Sequence, residues 1–168
     1  VGVRSYTLEL PDAAPLPEWT AGSHVDVEIE PGVIRQYSLC NDPADRSHYR
    51  IAVKREALGR GGSLRLHQEV ARGSKLRVGL PRNHFVRPAA TATATVETLL
   101  IAGGIGITPL LAMACDLHRK RAEFKLHALA RDERSLPFGA TLADAPFAAR
   151  LSTHFSKAGQ HGRVDLAT

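Results

Sequence analysis

Up to residue 87 the apolar positions recur every second residue in short runs. Residues 3–10 alternate, and residues 24–30 put Val25, Val27 and Ile29 on one face, the pattern of a half-buried strand. Gly32 then turns the chain into residues 34–40, and residues 48–55 and 75–80 read as two further strands. One stretch between them has helical spacing: residues 62–71, with Leu64, His67 and Val70 sharing a face. Short strands at this spacing, with a single helix, predict an antiparallel barrel or sandwich.

After residue 96 the pattern changes. Residues 97–102 form a continuous apolar strand, GGIGITP follows it, and residues 110–121 have helical periodicity. Residues 124–130 are another apolar strand, followed by a weaker helical stretch to about residue 149 and a strand at 151–155. Strand, helix, strand, helix, strand is the order of a parallel sheet in an α/β domain. The segment between the two regions, PAATATATV, is made of small residues without periodicity and reads as a linker. The expected fold is therefore two domains: an antiparallel β-barrel over residues 1–88, a linker at 89–96, and a partial α/β parallel-sheet domain over 97–168.

Composition adds exclusions. With 43% hydrophobic residues in 168, the chain is too apolar to be disordered and long enough for two small cores. The longest apolar run, residues 98–114, is broken by three glycines and a proline, short of the roughly 20 residues a spanning helix needs. The first residues lack the charged-then-apolar layout of a signal peptide. Cys40 and Cys115 are 75 positions apart and support neither a disulfide framework nor a cysteine-rich metal site, so a cytoplasmic location without membrane association is expected. The only methionine is Met113, so the chain does not begin at an initiator.

Charge is unevenly spread within the net +5. Residues 1–34 hold one basic and six acidic residues, a balance of −5; residues 35–87 hold twelve and four, a balance of +8. A basic middle section fits a phosphorylated cofactor, an acidic protein or a solvated surface. Aromatics are only 5%, and no aromatic-rich basic stripe is present, which argues against nucleic acid as a partner.

Three segments carry candidate chemistry. AGGIGITP, residues 102–109, follows a strand and opens a helix, the context of a phosphate-cradling loop. Its glycines allow close backbone approach, Pro109 suits a first helical turn, and Thr108 can cap the helix or bond a ligand. It is not the G-x-G-x-x-G fingerprint, and a tight turn without a ligand is the plain alternative. Arg35, Gln36, Tyr37 and Ser38 lie on one strand, with Arg35 and Tyr37 expected on one face and Ser38 on the other. Gly59-Arg60-Gly61-Gly62-Ser63 opens the single helix of the first half, a second candidate phosphate site. The eight histidines, among them His118, His127, His154 and His161, show no metal-ligand spacing, and no metal site is expected. No G-x-S-x-G occurs and neither cysteine has an evident base, so hydrolase chemistry has no support.

Taken in order, RQYSLCNDP, IAVKRE, GRGGS, LPRNHF and LIAGGIGITPLLAMA resemble the ferredoxin-reductase-like flavoproteins, and most closely the phthalate dioxygenase reductase and vanillate demethylase reductase group. The resemblance runs over nearly the whole chain. It implies an FMN-binding barrel, FAD being the less expected flavin, and an NAD-binding α/β domain. Hydride would pass from NADH to flavin, then electrons through a [2Fe–2S] centre to a Rieske-type terminal oxygenase or a ferredoxin-type acceptor. Carried over, Tyr37 would lie against the flavin ring, Ser38 would bond near its reactive nitrogen, and Thr108 would reach it from the second domain. These three form the expected catalytic set. Arg35, with Gln36 beside it, would meet the FMN phosphate region; Ala52, Val53 and Lys54 would line the ring's polar edge through backbone groups. Gly61, Gly62 and Ser63 would cradle the phosphate, and Gly103, Gly104, Gly106 and Thr108 would face the nucleotide pyrophosphate. Arg131 and Asp132 end the next strand: an acid there suits a ribose diol, an arginine the 2′-phosphate of NADPH. Both are present, and the group's habit favours NADH.

The sequence departs from that pattern. It has no C-G-P-type motif and no C-x4-C-x2-C set, so the iron–sulfur cluster is expected outside this chain. Five barrel strands are counted, the family's first being expected before Val1, and the chain reads as trimmed at both ends. Two rivals remain: an FAD-dependent, NADPH-linked ferredoxin or flavodoxin reductase, and a non-catalytic flavin-binding electron-transfer subunit.

Overall fold

The computed structural model describes residues 2–87 and 97–158; the expected linker and His161 lie outside the described residues. In the first half the strands are β1 (Val3–Leu8), β2 (Ser23–Glu30), β3 (Val33–Ser38), β4 (Tyr49–Lys54), β5 (Arg77–Val78) and β6 (Arg82–Asn83), with helix α1 (Gly62–Glu69) between β4 and β5. All pairings are antiparallel, in two sheets: β1 with β4, and β3-β2-β5 with β6 also on β2. An isolated bridge between Leu39 and Ile51 links the two.

The alternation that predicted β2 is its burial pattern: Val25 and Val27 are fully buried while His24 and Asp26 are half-exposed. Two of the strand expectations needed correction. The strand expected at 75–80 has only two paired residues, and a sixth strand, at Arg82 and Asn83, was not among the five counted. In α1 the stripe of Leu64, His67 and Val70 is only half-buried, and the residue driven into the core is Leu66 at 0% exposure. The helix is eight residues long, and Leu66 is its one buried side chain beyond Gly62. β1 reaches its last carbonyls: Tyr6 Oη donates to Leu66 O and Arg4 Nη1 to His67 O, both at 2.6 Å.

The second half is a parallel sheet in the order β7 (Thr98–Gly103), β8 (Phe124–Ala130), β9 (Leu151–Phe155). Helix α2 (Ile107–Arg119) starts three residues earlier than its periodicity indicated, directly after a 3-10 turn at Gly104–Gly106. The helical stretch expected before β9 is broken into α3 (Gly139–Ala143) and single 3-10 turns, because Pro137 and Pro146 each remove a donor. Leu100, Ala102, Leu126 and Ala128 of the sheet pack on Ile107, Leu111, Ala114 and Leu117 of α2.

Each half lends a residue to the other's core. Ala112 of α2, fully buried, belongs to the cluster of Val25, Val27, Ile51 and Leu66, whereas Cys40, just past β3, belongs to the α/β cluster. The charge asymmetry is also partly internal. Glu18, Asp26, Glu28 and Glu30 of the acidic section pair with Arg46, Arg82, Arg77 and Arg65 of the basic one. Four of the twelve basic residues in that section are thus committed to its neighbours.

Candidate functional site

The first candidate site is the N-terminus of α1. Gly61 precedes it at φ 84, and no side chain caps the helix, so its first N–H groups are left for another acceptor. A Cβ on Gly61 would meet nothing within 4 Å. Arg35 lies beside the next residue: a Cβ on buried Gly62 would stand 3.1 Å from its Nε. Ser63 Oγ accepts the Glu56 N–H at 3.1 Å, closing the loop that leads from β4 into the helix. The structure thus brings Arg35, Gly61, Gly62 and Ser63 together, 26 positions apart in sequence.

The strand alternation decides the neighbours of Arg35. Tyr37 lies opposite Val25 and Arg35 opposite Val27, on the inner face; burial pushes the Tyr37 phenol up, and the Arg35 guanidinium pulls it back down. Gln36 and Ser38 lie opposite Asp26 and His24 on the other face, where Arg82 Nη2 donates to Asp26 Oδ2 at 2.7 Å. Gln36 is therefore separated from the Arg35 side chain. Ala52 and Val53 are buried, with Lys54 exposed at the end of β4. The Val53 carbonyl already accepts a hydrogen bond from His67 Nε2 at 2.8 Å.

The second candidate site is a cleft of about 660 Å³ between the halves, lined by Lys54, Gly104, Leu129, Ala130, Arg131, Asp132, Ser135 and Ser156. Gly104 holds φ +51 with open space where a Cβ would stand, and Gly103 and Gly106 are equally unobstructed. The glycine loop therefore presents backbone, not side chains, ahead of α2. Thr108 is buried in the first turn, where its hydroxyl donates to Ile105 O at 3.0 Å. Asp132 lies two residues past β8 and caps the following turn: Oδ1 accepts the Ser135 N–H at 2.9 Å, and Ser135 Oγ accepts the Asp132 N–H at 2.9 Å. Lys157 lies 3.4 Å from the same carboxylate. The Ser135 hydrogen bond first, and Lys157 after it, hold this carboxyl below its ordinary range, against a weaker opposing effect of burial.

Sequence reasoning missed Ser135, Ser156 and Lys157, although the D-x-x-S spacing at 132–135 is a legible capping signal. It also missed a histidine pair: His127 Nδ1 and His154 Nε2 are 2.8 Å apart on adjacent strands, their rings stacked. Among the described residues no three His, Cys, Asp or Glu side chains assemble to hold a metal, and no helix is long and apolar enough to cross a membrane.

No protein-family model matches the chain. The tert-butanol monooxygenase/tert-amyl alcohol desaturase reductase subunit of Aquincola tertiaricarbonis is 40% identical over 167 residues, which is 99% of this chain and 48% of that protein. The vanillate O-demethylase oxidoreductase of Pseudomonas putida is 42% identical over 153 residues, 91% of this chain and 47% of that one. The crystal structure of phthalate dioxygenase reductase, described as modular for electron transfer from pyridine nucleotides to [2Fe–2S], superposes with TM-score 0.87 at 36% identity. That match covers 98% of this chain and 50% of the other. An antiparallel half followed by a parallel three-stranded sheet, superposing in this way, defines a ferredoxin-reductase-like protein. Within that class the chain belongs to the phthalate dioxygenase reductase and vanillate O-demethylase reductase group, and it spans about half the length of the curated relatives it matches.

Proposed function

We propose that this chain is the flavin- and nucleotide-binding portion of a cytoplasmic oxygenase reductase. In this reading FMN is held at the N-terminus of α1 and NADH in the inter-domain cleft. Electrons leave through a [2Fe–2S] centre outside this chain to a terminal oxygenase. The domain limits that go with it are an FMN-binding unit at 1–88, a linker at 89–96 and a nucleotide-binding unit at 97–168.

The observation that carries the reading is the pairing of two uncapped, glycine-built helix starts on opposite sides of one domain junction. At the first, Arg35 stands over Gly62, and the open side of Gly61 suits a phosphate. At the second, Gly104 leaves backbone exposed to the cleft. Bound flavin and nicotinamide supply the hydride chemistry themselves. The chain's task is to bind, orient and exclude water, and this accords with a junction where Tyr37 is half-buried and Thr108 is buried. In this reading Tyr37, Ser38 and Thr108 are the groups nearest the reacting atoms, and Ala52, Val53 and Lys54 border the flavin.

Two measurements test the proposal. Mass analysis of the extracted flavin should give FMN, and FAD would overturn that assignment. Anaerobic stopped-flow mixing with NADH should bleach the flavin; a flavin that stays oxidised would make the chain a passive electron-transfer subunit.

A further inference from the structure

We infer that His127 and His154 form a metal seat, two cis imidazole ligands for a tetragonal divalent transition ion, copper(II) above all. The seat requires neither flavin nor nucleotide. His127 stands on β8 and His154 on the neighbouring strand β9, 27 positions apart in sequence, with His127 Nδ1 and His154 Nε2 separated by 2.8 Å. Strand pairing, not sequence spacing, brings them together, so the histidine pattern along the chain does not show the site. Two nitrogens bound at about 2.0–2.1 Å to one ion lie about 2.9 Å apart at a right angle and about 3.3 Å apart at the tetrahedral angle. The separation of 2.8 Å matches the right angle of copper(II) and nickel(II) and is too short for tetrahedral zinc. The rings lie within 16° of parallel, so a small turn of each converges both nitrogens on one point. Ligation needs neutral rings: the hydrogen-bond proton moves to the far nitrogen of its own ring, and the two facing nitrogens become the ligands.

The pair lies on the sheet face away from α2. Leu100, Ala102, Leu126 and Ala128 turn to the helix, so alternation sends Leu99, Ile101, Lys125 and His127 the other way, and His154 joins them opposite Leu129. Leu99 and Ile101 are 46% and 43% exposed, so this face reaches solvent. Lys125 is paired with Glu97 at 3.4 Å, which limits its repulsion of a bound ion. Among the described residues no third His, Cys, Asp or Glu joins the rings, so water completes a plane of nitrogen and oxygen ligands. Burial pushes the Cys40 and Cys115 thiols up to about 12 and about 11, so neither offers a competing thiolate. Past the pair, the strands run into Leu129, Ala130 and Arg131 on one side and Ser156 on the other, and the ion ties these cleft walls together.

The test is titration of Cu²⁺ into the full chain, carrying no histidine tag, read by calorimetry and by pulsed electron paramagnetic resonance. One tight ion should bind per chain, with a tetragonal spectrum and two coupled imidazoles. At a hundredfold excess over Kd it should raise the melting midpoint by about 5–10 °C. His127→Gln and His154→Gln should each weaken binding at least about tenfold and leave one coupled imidazole. His84→Gln is the control, because His84 and His24 make a second histidine contact, with rings inclined at 60°. It should change nothing. Unweakened binding in either His127→Gln or His154→Gln, or loss of the ion in His84→Gln, overturns the seat, and tighter binding of Zn²⁺ than of Cu²⁺ overturns its right-angle geometry. Where a variant's metal-free melting curve shows that it does not fold, the unmodified chain and His84→Gln decide: two coupled imidazoles in both support the seat, and fewer in either overturn it.

Discussion

Arg35 lies across Gly62: a Cβ added to the glycine would stand 3.1 Å from Arg35 Nε and 3.3 Å from its Cγ. Residue 62 is fully buried and opens a helix with ordinary helical geometry, so the demand for glycine comes from the arginine. The contact orders a long side chain whose hydrogen-bond acceptor among the described residues is the neighbouring Ile34 carbonyl, 2.8 Å from Nη1.

Gly62→Ala separates stability from binding by sign. Alanine in a helix is favoured over glycine by about 0.5–1 kcal/mol, so thermal stability should hold or rise. The displaced guanidinium should no longer meet a phosphate, and FMN should bind about tenfold more weakly. Flavin retention on a desalting column, beside a melting curve, checks both. Unchanged retention would remove Arg35 from the cradle.

Arg35→Ala and Ser63→Ala should each weaken FMN binding by about 1.5–3 kcal/mol, the usual worth of a hydrogen bond to a charged group. They should differ in stability. Ser63 Oγ also satisfies the Glu56 N–H, so Ser63→Ala should lower unfolding free energy by about 1 kcal/mol as well. Arg35→Ala removes a hydrogen bond to its own neighbour and the packing across Gly62, and leaves no backbone N–H without an acceptor. Denaturant unfolding of the flavin-free forms distinguishes the two.

Much of this was legible in the sequence where one residue sets the local geometry. Alternation around Val25 and Val27 placed β2, and the glycines at 61–62 and 103–106 marked both helix starts. What was not legible depended on partners distant in sequence. β6 is two residues held by Arg82 and Asn83 against His24 and Ser23, with Asn83 Nδ2 donating to Thr20 Oγ1 and to Ala21 O; no periodicity fits into two residues. Gln36 shared a motif with Arg35 and Tyr37, yet strand alternation turned it to Asp26. No pattern in the sequence marks Cys40 or Ala112, and only packing shows each serving the core of the other half.

Asp132 should titrate below the ordinary aspartate range, because the ionised form accepts the Ser135 N–H and faces Lys157. A depressed folded pKa means its stabilising contribution is present above the unfolded value near 3.8 and is lost as pH falls through the folded one. Carboxyl-detected NMR titration should show the low midpoint. Lys157→Ala should move that midpoint upward, and a midpoint at the free-aspartate value would refute the capped geometry.

The same charge bears on nucleotide choice. An ionised Asp132 at the mouth of the cleft opposes a 2′-phosphate, while Arg131 beside it favours one. Asp132→Ser should therefore improve NADPH relative to NADH by about tenfold, and Arg131→Ala should do the reverse. Steady-state kcat/KM ratios for the two coenzymes decide this; a ratio unmoved by both changes would place the ribose elsewhere.

Ala112 gives a test of the junction. It has 0% exposure, sits on α2 of the α/β half, and packs among the barrel residues Val25, Ile51 and Leu66. Ala112→Leu adds three carbons where no space exists, and such overpacking costs about 1–3 kcal/mol. In a chain of this size each kcal/mol moves the melting midpoint by about 2–4 °C. The strain is relieved most easily by parting the halves, since each keeps its own core. FMN and ADP-ribose affinities should then stay within about threefold of the unmodified chain, while flavin reduction by NADH slows at least about tenfold, because near-attack geometry is lost before binding is. Parallel loss of ADP-ribose binding would instead mean that α2 itself had been disrupted.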